Sequence, residues 1–178
     1  MIEAMLSEMT TTGIEHYILG RYAFHAGYFN TVGINAHRAF EFILKISIVK
    51  STKDPNMKKY GHNLSNIYNK HCSERKLDPK IRRKFIEALQ TFEEMRYPDS
   101  LNGQAVQIKL VSKEKSGTLI RFGKAPLINV CFNLHEYDLV FREILEQCSI
   151  NTELVKTIAK GSSKDALFNQ NESFTQDF

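Results

Sequence analysis

Apolar residues recur at helical spacing through the first half of the chain and predict a series of amphipathic helices. The first helix is expected over about 13–26, and the second begins at an N-cap provided by Asn30 or Thr31. Gly27 between them fits a tight turn, so the two helices should be antiparallel neighbours. The apolar stripe of the second helix consists of Val32, Ala36, Ala39, Phe40, Ile43 and Leu44. On the opposite, outer side Glu41 and Lys45 form an i, i+4 pair in the favourable order.

Two further helices follow a lysine-rich surface loop over residues 50–61. The third is expected over about 63–75. The fourth should open at Asp78-Pro79, an N-cap followed by a proline at the first helical position. It should stop at Arg96-Tyr97-Pro98, because the residue before a proline disfavours the helical region.

The hydrophobic period then changes, and residues 104–122 are typical of a β-hairpin. A last core helix follows Asn133. The sequence therefore predicts a mainly α fold, an up-down bundle of about five helices with a small inserted β-hairpin. The expected division is a flexible lead-in over 1–12, one domain over 13–150, and a short helix with a disordered tail over 151–178.

Basic residues are concentrated in one part of the chain, although the net charge is only +4. Residues 45–84 contain twelve lysines and arginines against three acidic residues. Such a surface can bind phosphate or an acidic partner, and the alternative is an ordinary solvated face. The candidate basic surface comprises Lys58, Lys59, Arg75, Lys76, Lys80, Arg82, Arg83 and Lys84.

Several classes of protein are disfavoured by composition. The three cysteines are far apart and form no CxxC pair, which indicates buried thiols rather than a disulfide framework or a zinc site. No apolar run approaches the length of a membrane span, and the first residues lack the basic start of a signal peptide. We therefore expect a cytoplasmic protein with no metal site, no cofactor and no membrane partner.

Three motifs in the first half together resemble the prokaryotic HEPN family of helical bundles. The first is the Gly27-Tyr28 turn. The second is a helix that reads A-x-x-A-x-E-x-x-L-K, in which the named positions are Ala36, Ala39, Glu41, Leu44 and Lys45. The third is the helix start at 61–64, which reads Gly-His-Asn-Leu. The resemblance covers about residues 13–98. It implies RNase toxins, phage-defence effectors or non-catalytic nucleotide- and RNA-binding modules, which often dimerise and often pair with a nucleotidyltransferase-like partner.

Catalytic members of that family carry R-x(4–6)-H, which places an arginine and a histidine beside the RNA phosphate. None of the six histidines in this sequence follows an arginine at that spacing. The nearest arrangement, Arg21-x-x-x-His25, is one residue short and lies in the first helix. These two residues either bind an anion or a partner carboxylate, or they form an internal ion pair.

Two other pairs are candidate ligand-binding residues. Arg96 can hold a phosphate while Tyr97 stacks on a base, or the pair can simply end the fourth helix. His62 and Asn63 stand at the start of the third helix, where they can bind an anion or cap the helix.

Three functions remain open from the sequence. The first is a non-catalytic HEPN-like module that binds a nucleotide, RNA or a protein partner, as a homodimer and in a toxin–antitoxin or phage-defence context. The second is a divergent metal-independent RNase toxin that uses Arg96 and His62 as catalytic residues. The third is a protein-interaction scaffold that makes contact through the hairpin or the tail.

Overall fold

The computed structural model describes residues 2–97 and 99–175. Within them, eight α-helices and a three-stranded sheet follow the chain in the order α1 to α4, β1 to β3 and α5 to α8, so the expectation of a mainly α bundle with a β-hairpin is confirmed. The helices are α1 (Ile2–Ala26), α2 (Phe29–Thr52), α3 (Leu64–Arg75), α4 (Arg83–Glu94), α5 (Leu134–Gln147), α6 (Glu153–Ile158), α7 (Ser162–Phe168) and α8 (Glu172–Thr175). The strands are β1 (Gln104–Val111), β2 (Ser116–Arg121) and β3 (Lys124–Asn133).

Helix α2 is the central element of the bundle. Its apolar stripe is fully buried, and it packs against α1, α3, α4 and α5. Gly33 allows the close approach of α4, because a Cβ atom at this position would lie 2.0 Å from the ring of Phe92. The expected antiparallel pairing of α1 and α2 around Gly27 is present, with Gly27 at a positive φ of 84°.

Helix α1 is longer than the sequence indicated. Residues 2–12, expected to be a flexible lead-in, form the first turns of this helix. Leu6 and Met9 pack against the core, which accounts for the extra length. The hydroxyls of three consecutive threonines donate to carbonyls four residues earlier, as in Thr10 Oγ1 to Leu6 O at 2.7 Å, and these bonds satisfy the hydroxyls without stabilising the helix.

Helix α4 begins later than the sequence indicated. Asp78 accepts a hydrogen bond from the backbone N–H of Lys80 at 2.9 Å, so it closes a local turn rather than capping an α-helix. The helix proper starts at Arg83, and Ile81, expected on its apolar face, is 70% exposed. Pro98, expected to stop this helix, lies outside the described residues.

The hairpin is confirmed, but it is part of a larger sheet with the order β2-β1-β3. Strand β3 was not anticipated, and it pairs in parallel with β1 while β2 pairs with β1 antiparallel. The two-residue link from β2 therefore crosses the start of β1. A Cβ atom on Gly123 would lie 2.4 Å from the carbonyl oxygen of Gly103, so only glycine fits at this crossing.

The segment after α5, for which disorder was expected, contains three short helices up to residue 175 and packs on the bundle. Leu167 and Phe174 of this segment are buried. The last residues, 176–178, lie outside the described part. Among the described helices, none combines the length and apolar character needed to cross a membrane.

The reason for the ordered tail is a buried arginine. Arg21 is fully inaccessible and forms an ion pair with Asp138 of α5. Its remaining donors bind the tail, through Nε to the carbonyl of Ala166 at 3.0 Å and through Nη2 to the carbonyl of Asn169. A buried charge needs such partners, and the tail supplies two of them.

Candidate functional site

A cleft of about 390 Å³ lies where α2, the start of α3 and the end of α4 meet. Three residues that the sequence identified as ligand-binding candidates, His62, Asn63 and Tyr97, line it together. Arg96 stands beside them and bonds to Glu93, another lining residue. The full lining is Arg38, His62, Asn63, Gln90, Glu93, Glu94 and Tyr97.

Glu41 is buried and binds three neighbouring side chains of this site. Its carboxylate accepts from Lys45 Nζ at 2.7 Å, from Arg38 Nη1 at 3.1 Å and contacts His62 Nδ1 at 2.7 Å. Burial alone would raise the pKa of Glu41, but the hydrogen bonds from Lys45 and His62 and the charges of Lys45 and Arg38 outweigh it and lower that pKa. The sequence placed Glu41 and Lys45 on the outer side of α2, and that prediction was wrong because both are buried.

The ionised state of Glu41 determines the tautomer of His62. Since the carboxylate can only accept, His62 Nδ1 must carry a proton and donate it. Arg38 Nη1 is 3.4 Å from the same nitrogen, a contact that is then not a hydrogen bond. In its neutral form His62 therefore keeps Nε2 as an acceptor, and its side chain is 70% exposed.

Glu93 organises the other wall of the cleft. Both of its carboxylate oxygens accept from Arg96 Nη1 at 2.9 Å, and Arg38 Nη2 lies 3.9 Å from one of them. The guanidinium of Arg96 lies 5.5 Å from the ring centre of Tyr97, a cation–π geometry. Tyr97 is 51% exposed at the rim of the cleft.

Asn63 performs the capping role that the sequence offered as one of its two alternatives. It precedes α3 in an extended conformation, and its side chain accepts from the backbone N–H of Asn66 at 2.9 Å. Its exposed position on the cleft also leaves it within reach of a ligand.

His37 lies below the cleft and is fully buried. Its Nδ1 is 3.7 Å from Glu41, and neither ring nitrogen has a hydrogen-bond partner among the described residues. Burial lowers the pKa of His37 from its ordinary value of 6.5, against the opposing charges of Glu93 and Glu41. The folded protein therefore keeps this imidazole neutral under conditions where the unfolded chain protonates it.

This histidine makes the stability of the protein depend on pH. Because the folded-state pKa is depressed, the contribution is fully present above the unfolded pKa of about 6.5 and is lost as pH falls toward the folded value. We expect the free energy of unfolding, measured by urea denaturation, to fall from about pH 7 to about pH 5.5 less steeply in His37→Gln than in the parent. His135→Gln, at an exposed histidine, is the matched control. Equal slopes for the parent and His37→Gln would contradict the assignment.

Arg21 and His25 do not join the cleft. Arg21 forms the internal ion pair that the sequence allowed as an alternative to ligand binding, and it has no exposed surface. His25 is half-buried, and its Nδ1 lies 3.3 Å from Asn169 Nδ2 in the tail. Burial, together with the charges of Arg21 and Lys115, lowers the pKa of His25.

Part of the candidate basic surface is neutralised within the chain. Arg82, expected to be exposed, is partly buried and binds both oxygens of Glu143, at 3.0 and 2.5 Å. Arg83 pairs with Glu87 and Lys59 with Asp54, while Arg75 donates to the hydroxyl of Ser47. All five lysines of the candidate surface are nevertheless exposed: Lys58, Lys59, Lys76, Lys80 and Lys84.

Sequence reasoning missed the residues that connect the cleft. Arg38 and Glu93 were not singled out, and Glu41 was noted only in the family motif and as one half of a pair on the outer side of α2. A signal was present, because His37, Arg38 and Glu41 lie within little more than one turn of α2. They alternate there with the apolar residues Ala36, Ala39 and Phe40. Cys131 also differs from expectation, because it is exposed whereas Cys72 and Cys148 are buried. Among the residues described, no group of three or more histidine, cysteine or acidic side chains has the arrangement of a metal site.

Comparison with known proteins identifies the family of this helical bundle. The HEPN domain family matches residues 9–125, more than half of the 178-residue chain, and the protein belongs to that family. Helix α5 and the tail, which hold the partners of Arg21, lie beyond the matched range. Neither a curated protein nor a solved structure gives a significant match.

Proposed function

We propose that this HEPN domain is a binding module for single-stranded RNA or a nucleotide and that the ligand occupies the cleft between α2, α3 and α4. One observation carries the proposal. Arg38, His62, Arg96 and Tyr97, contributed by three separate parts of the chain, surround one cleft. These are the side chains suited to hold a phosphate and stack on a base.

The two glutamates orient the arginines for this task. Arg96 reaches Glu93 through Nη1, and Arg38 reaches Glu41 through Nη1. A guanidinium has five N–H donors, so each arginine keeps donors for a phosphate while the carboxylate fixes its position. Tyr97, exposed beside Arg96, supplies the flat surface on which a base can lie.

The carboxylates also limit the strength of binding. The three carboxylates of Glu41, Glu93 and Glu94 match the three cations in and below the cleft, Arg38, Lys45 and Arg96, so the formal charge is balanced while His62 is neutral. We expect contact with about two phosphates, which corresponds to a slope of roughly −1.4 in log K against log salt for a single strand. Binding should therefore be clear at low salt and weaken at moderate salt.

The test is fluorescence anisotropy with a labelled single-stranded RNA of about eight nucleotides, titrated between about 50 and about 200 mM salt. The expected result is saturable binding with a shallow negative salt slope. A duplex RNA of the same sequence is the control and should bind more weakly, because its bases are not available for stacking. Absence of binding at the lowest salt would overturn the proposal.

A second candidate, a divergent RNase, is favoured by a specific contact. The bond between His62 and Glu41 leaves Nε2 of an exposed imidazole as a potential base, with Arg38 close enough to stabilise a phosphate. Gel electrophoresis of the RNA recovered from the binding assay separates the two functions. Intact RNA supports the binding module, whereas cleavage that disappears in His62→Ala supports the RNase.

HEPN domains often dimerise, and the homodimer and the nucleotidyltransferase-like partner stay predictions for this chain. A place in a toxin–antitoxin or phage-defence system is likewise part of the proposal. The scaffold hypothesis loses one of its contact elements, because residues 162–175 of the tail are engaged within the protein itself.

A further inference from the structure

One end of the sheet lies near the C-terminal end of α4, and this is also the end of α4 that lines the cleft. Arg121, the last residue of β2, extends its guanidinium to the carbonyls of Glu94 and Met95, at 3.4 and 3.5 Å. These carbonyls belong to the final turn of α4, where a cation is favourable because the helix dipole is negative. Arg96 and Tyr97 follow that turn directly, so the tip of the sheet and the cleft are neighbours.

Phe122, next to Arg121, is 91% exposed, the highest value among the large exposed apolar side chains of the described residues. An aromatic ring so fully in water gains nothing for the fold, because it buries almost no apolar surface. Lys124, two residues further, is also exposed. The end of the sheet thus presents an aromatic ring between two basic side chains.

Two basic–aromatic pairs therefore meet at the C-terminus of α4. One is Arg96-Tyr97 at the cleft, and the other is Arg121-Phe122 at the tip of the sheet. Proteins that bind single strands without strict sequence preference use this combination, with basic groups along the backbone and aromatic rings on which successive bases stack. A mononucleotide in the cleft would contact only the first pair.

We propose that Phe122 is a second base-stacking residue and that the ligand is a single RNA strand running from the cleft across the end of α4 to the sheet tip. This inference rests on the proposed function of the cleft and specifies its ligand as a strand of several nucleotides. Lys124 contacts the strand's backbone beside Phe122, and Arg121 holds the tip of the sheet against the end of α4. Tyr97 and Phe122 hold bases at the two ends of this path.

The test compares Phe122→Ala with the parent protein by anisotropy, using the RNA of about eight nucleotides and a labelled mononucleotide. Phe122→Ala should weaken binding of the strand about five- to tenfold and leave mononucleotide binding unchanged. Phe122→Trp, which keeps a stacking surface, should restore strand binding. Thermal unfolding should show no loss of stability in Phe122→Ala, because the side chain is exposed.

The outcomes separate this inference from the proposed function. Strand binding that is equal in Phe122→Ala and the parent overturns the role of Phe122 while leaving the cleft intact. Failure of the parent to bind any RNA overturns both. If Phe122→Ala instead abolished self-association and left RNA binding unchanged, the tip would be a protein contact, and the RNA path would be wrong.

Discussion

Replacing Arg21 with methionine is expected to lower the free energy of unfolding by about 3–5 kcal/mol, because the change leaves the Asp138 carboxylate buried without its partner. Asp138 is almost fully inaccessible, and among the described residues the hydroxyl of Tyr17, at 2.7 Å, is the side-chain donor that remains to it. The carbonyls of Ala166 and Asn169 would lose their donor as well. Urea denaturation followed by circular dichroism measures the change.

A matched control distinguishes a buried charge from a surface ion pair. Arg83 is 70% exposed and pairs with Glu87. Changing it to methionine should lower the free energy of unfolding by less than about 1 kcal/mol. The double variant Arg21→Met with Asp138→Leu should recover part of the loss, because no unpaired charge stays in the core. Equal effects of the changes at Arg21 and Arg83 would show that the ion pair does not hold the tail.

Changing Arg38 to alanine should weaken RNA binding by about tenfold or more, since one charge-assisted hydrogen bond contributes about 1.5–3 kcal/mol. Arg38 contacts both Glu41 and Glu93, so its loss also removes a neighbouring cation from His62 and Glu93. Anisotropy with the single-stranded RNA measures the affinity, and thermal unfolding verifies that the variant is folded.

Arg83→Ala is the charge-matched comparison for this experiment. Arg83 lies at the start of α4, at the opposite end from Tyr97. Its replacement should change affinity by less than about twofold if the ligand occupies the cleft. A larger loss from Arg83→Ala than from Arg38→Ala would locate binding on the lysine- and arginine-rich surface that the sequence also indicated.

The helical core was predictable because its signal is local. The stripe of α2 and the cap of α3 depend on residues a few positions apart, and both are present as expected. Strand β3 was missed because it alternates weakly and contains Pro126, which disfavours a central strand. It pairs with β1, and β2 lies between these two strands along the chain. A pairing between such separated segments gives no pattern within a short stretch of sequence.

The site was partly predictable for the same reason. His62, Asn63, Arg96 and Tyr97 were visible as polar or aromatic residues at helix ends, where function is common. Glu41 was misplaced because helical periodicity assigns a side chain to a face and does not reveal what covers that face. Here the start of α3 and the end of α4 enclose it, a tertiary effect. The order of the tail could not be predicted, because its polar composition gives no indication that its backbone carbonyls bind a distant arginine.

The position of Arg21 has a consequence for the synthesis of the protein. Its helix leaves the ribosome before the groups that neutralise and bind it, which lie in α5 and beyond, up to Asn169. A nascent chain that lacks these residues carries an unpaired guanidinium on the surface destined for the core. We therefore expect the native core to close only after Asn169 has been synthesised, and chains arrested before Asn169 to be the form most exposed to proteolysis and aggregation.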